Sequence, residues 1–404
     1  MAAPQTLSTS IPDTSGIWVH DLSPFFIRFN ETSGIRWYGL AYLVGFLAGA
    51  AFMLFLAKRG RGTLRPQMVS DFITFVVLGT MIGGRLGYAF FYSPDLLTDF
   101  SSHFPYWGVL RLWEGGMASH GGIVGIVAAC AIFARRYGVD WRHLADLTTL
   151  GGSIGIFFGR IANFINGELF GREASSHLPF AVKFPGEMQL WFQHDLERKL
   201  SDLTSTRDLL PKMTEAVKAL GNSAGLTLDQ WSTYLQNLRS SAVAQAQAQR
   251  LIEVVTQAIQ DGNEKVRLAL GAELTPRHPS QLYEACLEGL LLFATVFWFW
   301  RKPRKPGVVG CVWLIGYALV RILGESFRLP DPQLGFRLFD LTRGQWLSVY
   351  LLIVSFGLLI WVQRREAPLI AGWGPEAQKL REESPLPYQG ERRLRADRAD
   401  RAQG

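Results

Sequence analysis

Apolar residues fall in long runs separated by polar segments, a pattern typical of integral membrane proteins. Each run is close to the ~20 residues that a helix needs to cross the ~30 Å hydrocarbon core of a bilayer. We therefore predict an all-α integral membrane protein with seven transmembrane helices. Their expected positions are about 38–57, 71–92, 119–134, 144–166, 281–300, 307–324 and 344–362.

Basic residues predict the orientation of these helices. Thirteen lie in the four short segments that follow spans one, three, five and seven, whereas the alternate loops (1–37, 93–118 and 325–343) hold six. By the positive-inside rule, the N-terminus then lies outside and the C-terminus lies in the cytoplasm. Residues 1–30 contain no basic stretch before an apolar core, so we expect no cleaved signal peptide.

This topology divides the chain into five segments with different expected roles. Residues 173–277 are expected to form an external helical insertion, because stretches such as SSAVAQAQAQRLIEVVTQAIQ are polar and helix-favouring. The charged end of the chain is expected to be a disordered cytoplasmic tail. The segments are 1–37 (external), 38–172 (helices one to four), 173–277 (insertion), 278–362 (helices five to seven) and 363–404 (tail).

Composition narrows the class of protein further. Of the 404 residues, 48% are hydrophobic and 19% are charged, whereas soluble domains have about 25% charged residues. Three cysteines without a CxxC pair do not make a disulfide scaffold, and no Cys/His spacing predicts a metal site. The basic clusters are explained by topology, so we expect no nucleic-acid partner.

Polar residues inside the predicted spans are the candidate chemistry, because an ionisable group in a bilayer is costly without a partner or a function. With the predicted topology, the polar residues of these spans all lie in the external half of the membrane. In span four, two of them share one helical face at i, i+3 spacing. In span six, three of them share one face at i, i+4, i+8 spacing. These residues are Tyr38, Arg85, His120, Arg160 and Asn163, Glu284, and the stripe Tyr317, Arg321 and Glu325.

Arginines at this depth suit a phosphate group, since a guanidinium offers a planar fork of donors. The alternative is that Glu284, Glu288 and Glu325 pair with them as structural ion pairs, and we expect some of each. A phosphate at the level of the outer leaflet is most simply a phospholipid headgroup. The glycine pairs 83/87, 121/125 and 155/159 are interpreted as packing positions rather than as substrate contacts.

Six motifs resemble the bacterial phosphatidylglycerol–prolipoprotein diacylglyceryl transferase family. They are RWYGLAYLVGF (36–46), HGGIVG (120–125), GRIANFINGELFGR (159–172), HPSQLYE (278–284), RILGESFRLPD (321–331) and TRGQWLS (342–348). The resemblance implies transfer of a diacylglyceryl group from phosphatidylglycerol to the lipobox cysteine of exported prolipoproteins, with a thioether formed and glycerol phosphate released. It also implies a bacterial inner-membrane enzyme whose active site faces the periplasmic leaflet. The insertion of about 100 residues is longer than this family leads us to expect.

The resemblance transfers functional positions residue by residue. The matching positions are Tyr38, His120, Arg160, Asn163, Glu168, Gly171, Tyr317, Arg321 and Glu325. We expect Arg160 and Arg321 to hold the phosphate, and Tyr38 to act with them in catalysis. Either His120 or Glu325 would take the proton of the thiol, unless His120 orients substrate and Glu325 pairs with Arg321.

Asn163, Glu168, Gly171 and Tyr317 are expected to bind substrate, and we add Arg85 from span two to this set. The chemistry requires positioning, charge neutralisation and proton transfer, so no cofactor is expected. A non-catalytic lipid or anion transporter is the alternative function. Its pathway would need polar groups in both membrane halves, whereas the cytoplasmic halves of the spans carry almost no charge.

Overall fold

The structure is a computed structural model and is mostly helical. It describes residues 16–29, 34–112, 115–193, 214, 216–221, 225, 227–237, 241–271, 274–329, 341–370 and 372–383. The chain forms two compact units. The first unit comprises Met1–Tyr42, Phe158–Leu287 and Arg321–Leu347, and the second comprises Leu43–Phe157, Glu288–Val320 and Ser348–Gly404.

Helices occupy all seven segments that the apolar pattern predicts as spans. Those seven are α1 (Trp37–Lys58), α2 (Pro66–Phe91), α4 (Ser119–Tyr137), α5 (Trp141–Asn166), α10 (Ser280–Phe299, π-helical over Ala285–Leu291), α11 (Val308–Glu325) and α12 (Arg343–Arg364). Further α-helices in the described part of the chain are α3 (Asp95–Thr98), α6 (Glu187–Gln193), α7 (Leu228–Gln236), α8 (Ala242–Gln260), α9 (Glu264–Gly271) and α13 (Pro375–Glu383), and Gly108–Leu110 forms a 3-10 turn.

Five of these helices, α1, α2, α10, α11 and α12, are long and apolar enough to cross a membrane. Many large apolar side chains on them are exposed, for example Leu43, Leu47, Ile353 and Val354. Such apolar surface is stable in contact with lipid and costly in contact with water. The structure therefore supports an integral membrane protein with an all-α membrane part.

In the second unit, α2 and α4 pack closely through glycines. A Cβ at Gly87 would lie 2.7 Å from the Cα of Gly121, and a Cβ at Gly83, Gly121 or Gly125 would overlap backbone of the opposite helix. Any side chain would therefore push the helices apart, which confirms that these glycines are packing positions. The core of this unit also includes Phe72, Phe133, Leu144 and Trp300, all fully buried.

In the first unit, the insertion has a hydrophobic core of its own. The buried stripe of α8, with Leu251, Ile252 and Val255, packs with Trp231 of α7 and Leu270 of α9. A three-stranded sheet lies beside these helices, with β1 (Trp18–Val19) parallel to β4 (Val182–Lys183) and β4 antiparallel to β5 (Pro276–Arg277). Strands β2 (Phe25–Arg28) and β3 (Gly34–Arg36) pair antiparallel just before α1.

Buried polar contacts join residues near the two ends of the insertion. Glu187 accepts from Arg277 Nε at 3.0 Å and from Thr275 Oγ1 at 2.7 Å, and Lys183 Nζ donates to Gly271 O at 2.9 Å. Glu187 and Arg277 are both buried, so losing one partner would leave an uncompensated charge. The two ends of the insertion are therefore held together by ion pairing as well as by the sheet.

The segment 363–404, which we predict to be disordered, contains ordered structure. Helix α13 lies within it, Ile370 and Ala377 are buried, and Trp373 stacks on Phe297 with ring centroids 4.1 Å apart. The prediction was wrong for these residues because a few apolar side chains find a packing surface despite the charged composition around them. Residues 384–404 lie outside the described part of the chain.

Candidate active site

Three arginines of the first unit converge on one carboxylate. Glu284 of α10 is fully buried, and its Oε2 lies 2.9 Å from Nη1 of Arg160 on α5. Its Oε1 lies 2.5 Å from Nη1 of Arg321 on α11 and 3.8 Å from Nη1 of Arg328. Glu284, at the end of one sequence motif, therefore contacts side chains from two other motifs.

A second carboxylate joins this cluster through α11. Glu325 follows Arg321 by one helical turn, and its Oε2 lies 3.2 Å from Nη2 of that arginine. Thr342 donates its hydroxyl to Glu325 Oε1 at 3.1 Å. A Cβ at Gly344 would lie 2.7 Å from the same oxygen, so a larger residue at the start of α12 would displace the carboxylate from this position.

The charge of this arginine cluster is positive. It contains three guanidinium groups (Arg160, Arg321 and Arg328) and two carboxylates (Glu284 and Glu325), which leaves one net positive charge among these residues. Buried charges cost free energy unless they are paired or needed. The excess of positive charge makes the cluster suitable for an anion, and guanidinium groups match the geometry of a phosphate.

A hydrogen-bonded triad lies on the same face of α5. Asn163, three residues after Arg160, donates its amide to Tyr38 Oη and, at 2.7 Å, to Glu168 Oε1. Tyr38 donates its hydroxyl to the same glutamate oxygen. Burial raises the pKa of the Glu168 carboxyl, and the nearby positive charges of Arg36 and Arg328 partly oppose this shift. The three residues that the resemblance brings forward here therefore contact one another.

Backbone hydrogen bonds join the motif segments beside the triad. Gly171 N donates to His278 O at 2.9 Å, and Arg172 N donates to Phe327 O at 2.8 Å. A Cβ at Gly171 would overlap His278 O and lie 2.7 Å from Phe327 O. The structure thus gives Gly171 a packing role in this seam, whereas the sequence analysis places it among the substrate-binding residues.

The hydrogen bonds of Arg85 do not support its predicted role in substrate binding. It lies in the second unit and is 3% exposed. All five of its N–H donors are used by backbone carbonyls of one loop, including Val109 O at 2.7 Å and Arg111 O at 3.0 Å. The other acceptors are Gly108 O, Gly115 O and Gly116 O. A buried arginine with its donors saturated in this way stabilises the loop and has none left for a phosphate.

Two further predicted residues also belong to the second unit. His120 is exposed in the first turn of α4. The ring of Tyr317 stacks on Trp313 with centroids 5.2 Å apart, and the Trp313 indole donates to Ser153 Oγ at 2.6 Å. The roles expected for His120 and Tyr317 stay predictions.

The sequence indicates Glu284 as one possible ion-pair partner of the arginines, but not as their common partner, and it does not single out Arg328. Glu284 ends the HPSQLYE motif, but several glutamates in and near the spans were equally plausible partners for the arginines. Arg328 follows Glu325 by three residues, which extends the polar stripe of α11 past the end of the helix. That spacing was a usable signal, since i, i+3 positions share a helical face.

Comparison with known proteins gives a consistent result. A sequence model described as prolipoprotein diacylglyceryl transferase matches residues 24–361. A phosphatidylglycerol–prolipoprotein diacylglyceryl transferase of Bdellovibrio bacteriovorus is 46% identical over 355 residues, covering 88% of this chain and 97% of the relative. Proteins with the same name from Rhodospirillum centenum and Burkholderia orbicola are 35% and 34% identical, covering 81% and 82% of this chain and 87% and 92% of the relatives.

Proposed function

The chain belongs to the prolipoprotein diacylglyceryl transferase family, and we propose that its arginine cluster holds the phosphate of phosphatidylglycerol during transfer to a lipobox cysteine. Membership makes the chain a transferase of the first step of lipoprotein maturation. The acceptor is the cysteine thiol of an exported prolipoprotein. The products are a diacylglyceryl thioether and glycerol phosphate.

The observation that supports this proposal is the convergence of Arg160, Arg321 and Arg328 on Glu284 with a net positive charge. In the reaction, the thiolate sulfur forms a bond to the terminal glycerol carbon of the diacylglyceryl group. The bond between that carbon and the phosphate oxygen breaks, and glycerol phosphate carries away the electron pair. Guanidinium groups near the leaving phosphate stabilise its growing charge, which is the main electrostatic demand of the step.

The thiol must lose its proton, since a cysteine with a pKa of about 8.5 is mostly protonated at neutral pH. Glu325 is already paired with Arg321 and accepts from Thr342, which favours a charge-balancing role for this carboxylate. We therefore propose His120 as the base. His120→Asn is expected to lower kcat far more than Glu325→Gln does. The opposite outcome would transfer the role to Glu325.

We further propose seven spans with the N-terminus outside, in a bacterial inner membrane, and with the site at the periplasmic leaflet. The uneven distribution of basic residues supports this orientation. In a background without the native Cys130, Cys286 and Cys311, a cysteine at Gly62 should resist an impermeant thiol reagent in intact cells. A cysteine at the exposed Gln249 of the insertion should react. The reverse labelling pattern would invert the topology.

One assay tests the function itself. Purified protein, phosphatidylglycerol vesicles and a lipobox peptide are incubated, and mass spectrometry follows the peptide. The expected result is a mass increase of one diacylglyceryl group on the cysteine, together with release of glycerol phosphate. Movement of lipid across the vesicle membrane without peptide modification would instead support the alternative function of a lipid transporter.

A further inference from the structure

The first unit contains a cavity of about 400 Å³ that is lined by residues from two parts of the chain. One side consists of motif residues, including Tyr38, Glu168 and Arg328. The other side consists of insertion residues, Gln189 of α6 with Thr256 and Gln260 of α8. The volume lies within the ~300–1,000 Å³ that ligand pockets usually have. The insertion is therefore part of a pocket that also contains site residues.

The insertion side of this cavity is held in a defined position. Gln260 Nε2 donates to Asn166 O at 3.2 Å, next to the end of α5. Thr256 Oγ1 donates to Pro185 O at 3.5 Å. Next to these two residues on α8, Val255 and Ile259 are fully buried in the insertion core. Helix α8 thus connects its own hydrophobic core to the loop that carries Glu168.

The chemistry of the two sides differs. The charged lining residues are Arg36, Glu168 and Arg328, and Arg328 also lies 3.8 Å from Glu284 in the arginine cluster. Among the described residues of the insertion, those that line the cavity are uncharged and include two primary amides, a hydroxyl and the side chain of Leu190. Amide side chains both donate and accept, which matches the alternating N–H and C=O groups of an extended peptide. They offer no charge to a phosphate.

We propose that this cavity binds the neutral peptide segment next to the acceptor cysteine, with Gln189 and Gln260 as specificity-determining residues of the insertion. This inference rests on the proposed function, because it assigns the second substrate of that reaction to a position beside the first. The arginine cluster holds the anionic donor, and the amide wall recognises the peptide backbone. Through Arg328 the two binding regions adjoin, which is what transfer between the two substrates requires.

Gln189→Phe is the informative variant. Gln189 is exposed, so a larger ring at this position fills cavity space without entering a core. The matched control is Gln249→Phe, which places the same ring on an exposed position of α8 that does not line the cavity. Steady-state rates are measured with the lipobox peptide varied at saturating phosphatidylglycerol, and then with the lipid varied at saturating peptide.

Gln189→Phe is expected to raise KM for the peptide roughly tenfold and to leave KM for the lipid within twofold. Both KM values should be unchanged in the control variant Gln249→Phe. A second readout is the binding of a fluorescent peptide in which serine replaces the reactive cysteine, which needs no turnover. Its affinity should fall by the same factor. Weaker binding of the lipid alone would overturn the proposal in favour of a headgroup site, and unchanged peptide binding would exclude the cavity as the peptide site. Absence of transfer by the unsubstituted protein would instead contradict the proposed function, while the serine peptide would still report on the cavity.

Discussion

Arg85 and the pair Arg160 and Arg321 show two ways in which a protein accommodates arginine away from water. Arg85, in the second unit, donates all five of its N–H groups to carbonyls of residues 108–116. Arg160 and Arg321, in the first unit, face carboxylates and share Glu284 with a third arginine. The sequence predicts substrate contact for all three, since each lies in the outer part of a predicted span.

The difference lies in what surrounds the guanidinium. Carbonyl groups satisfy hydrogen-bond donors without neutralising charge. Five of them fix the position of the Arg85 guanidinium, which therefore stabilises the loop conformation. Carboxylates neutralise charge, and two of them among three arginines leave an excess that an anion can balance. A buried arginine therefore indicates a phosphate site only when its partners leave the cluster positive.

The strongest test of this comparison is Arg160→Lys. Lysine keeps the positive charge beside Glu284 but loses the planar fork, so the fold should persist while turnover falls roughly 100- to 1,000-fold. The measurement is kcat with saturating lipid and peptide, alongside the melting temperature. A variant with near-normal turnover would show that Arg160 has only an ion-pair role, like the alternative considered from the sequence.

Glu284→Gln should have the next largest effect. It removes the carboxylate that contacts all three arginines, which leaves like charges close together in the site. The free energy of unfolding is expected to fall by about 3 kcal/mol. Inorganic phosphate should then stabilise the variant more than it stabilises the unsubstituted protein, as thermal unfolding with and without the anion would reveal. Equal stabilisation of both would argue against anion binding at this cluster.

Arg85→Lys reverses the pattern expected for Arg160. An ammonium has three donors where the guanidinium had five, so at least two loop carbonyls lose their partner. Unfolding free energy should fall by about 2–3 kcal/mol, and the loop of residues 108–116 should become easier to cleave in limited proteolysis. The KM for phosphatidylglycerol should stay unchanged. A higher lipid KM without loss of stability would return Arg85 to the substrate-binding residues.

The smallest effect concerns the pH dependence of stability that His20 contributes to the first unit. His20 in the first unit is fully buried, its Nε2 lies 2.7 Å from Phe164 O, and burial lowers its pKa to about 4. Between about pH 6.5 and 4 the unfolded chain binds the proton more readily, so stability is complete above this window and falls as pH decreases. The expected loss is about 2 kcal/mol from pH 7 to pH 5.

Thermal unfolding at the two pH values measures this loss, and His20→Gln should reduce it because glutamine does not titrate. An equal loss of stability in the unsubstituted protein and in the His20→Gln variant would contradict this role of His20.

The sequence by itself determined the helices and the local spacing within them. Apolar runs of the length of a bilayer predict helices where the structure has α1, α2, α10, α11 and α12, because backbone groups in lipid must be satisfied within one segment. The motifs were sufficient to identify the family. Helical periodicity also placed Asn163 on the face of Arg160, and Glu325 on that of Arg321, since residues three and four apart are neighbours in any α-helix.

Only the tertiary structure decided which of these residues act together. Glu284 lies at the centre of the arginine cluster, whereas Glu288 belongs to the second unit. Arg321 has a carboxylate partner, whereas Arg85 has carbonyl partners. Gly171 lies where three backbone segments meet. The involvement of the insertion in the cavity also came from the structure alone. Periodicity describes which side of one helix a residue occupies, whereas partners depend on the distances between segments far apart in the chain, which no local pattern encodes.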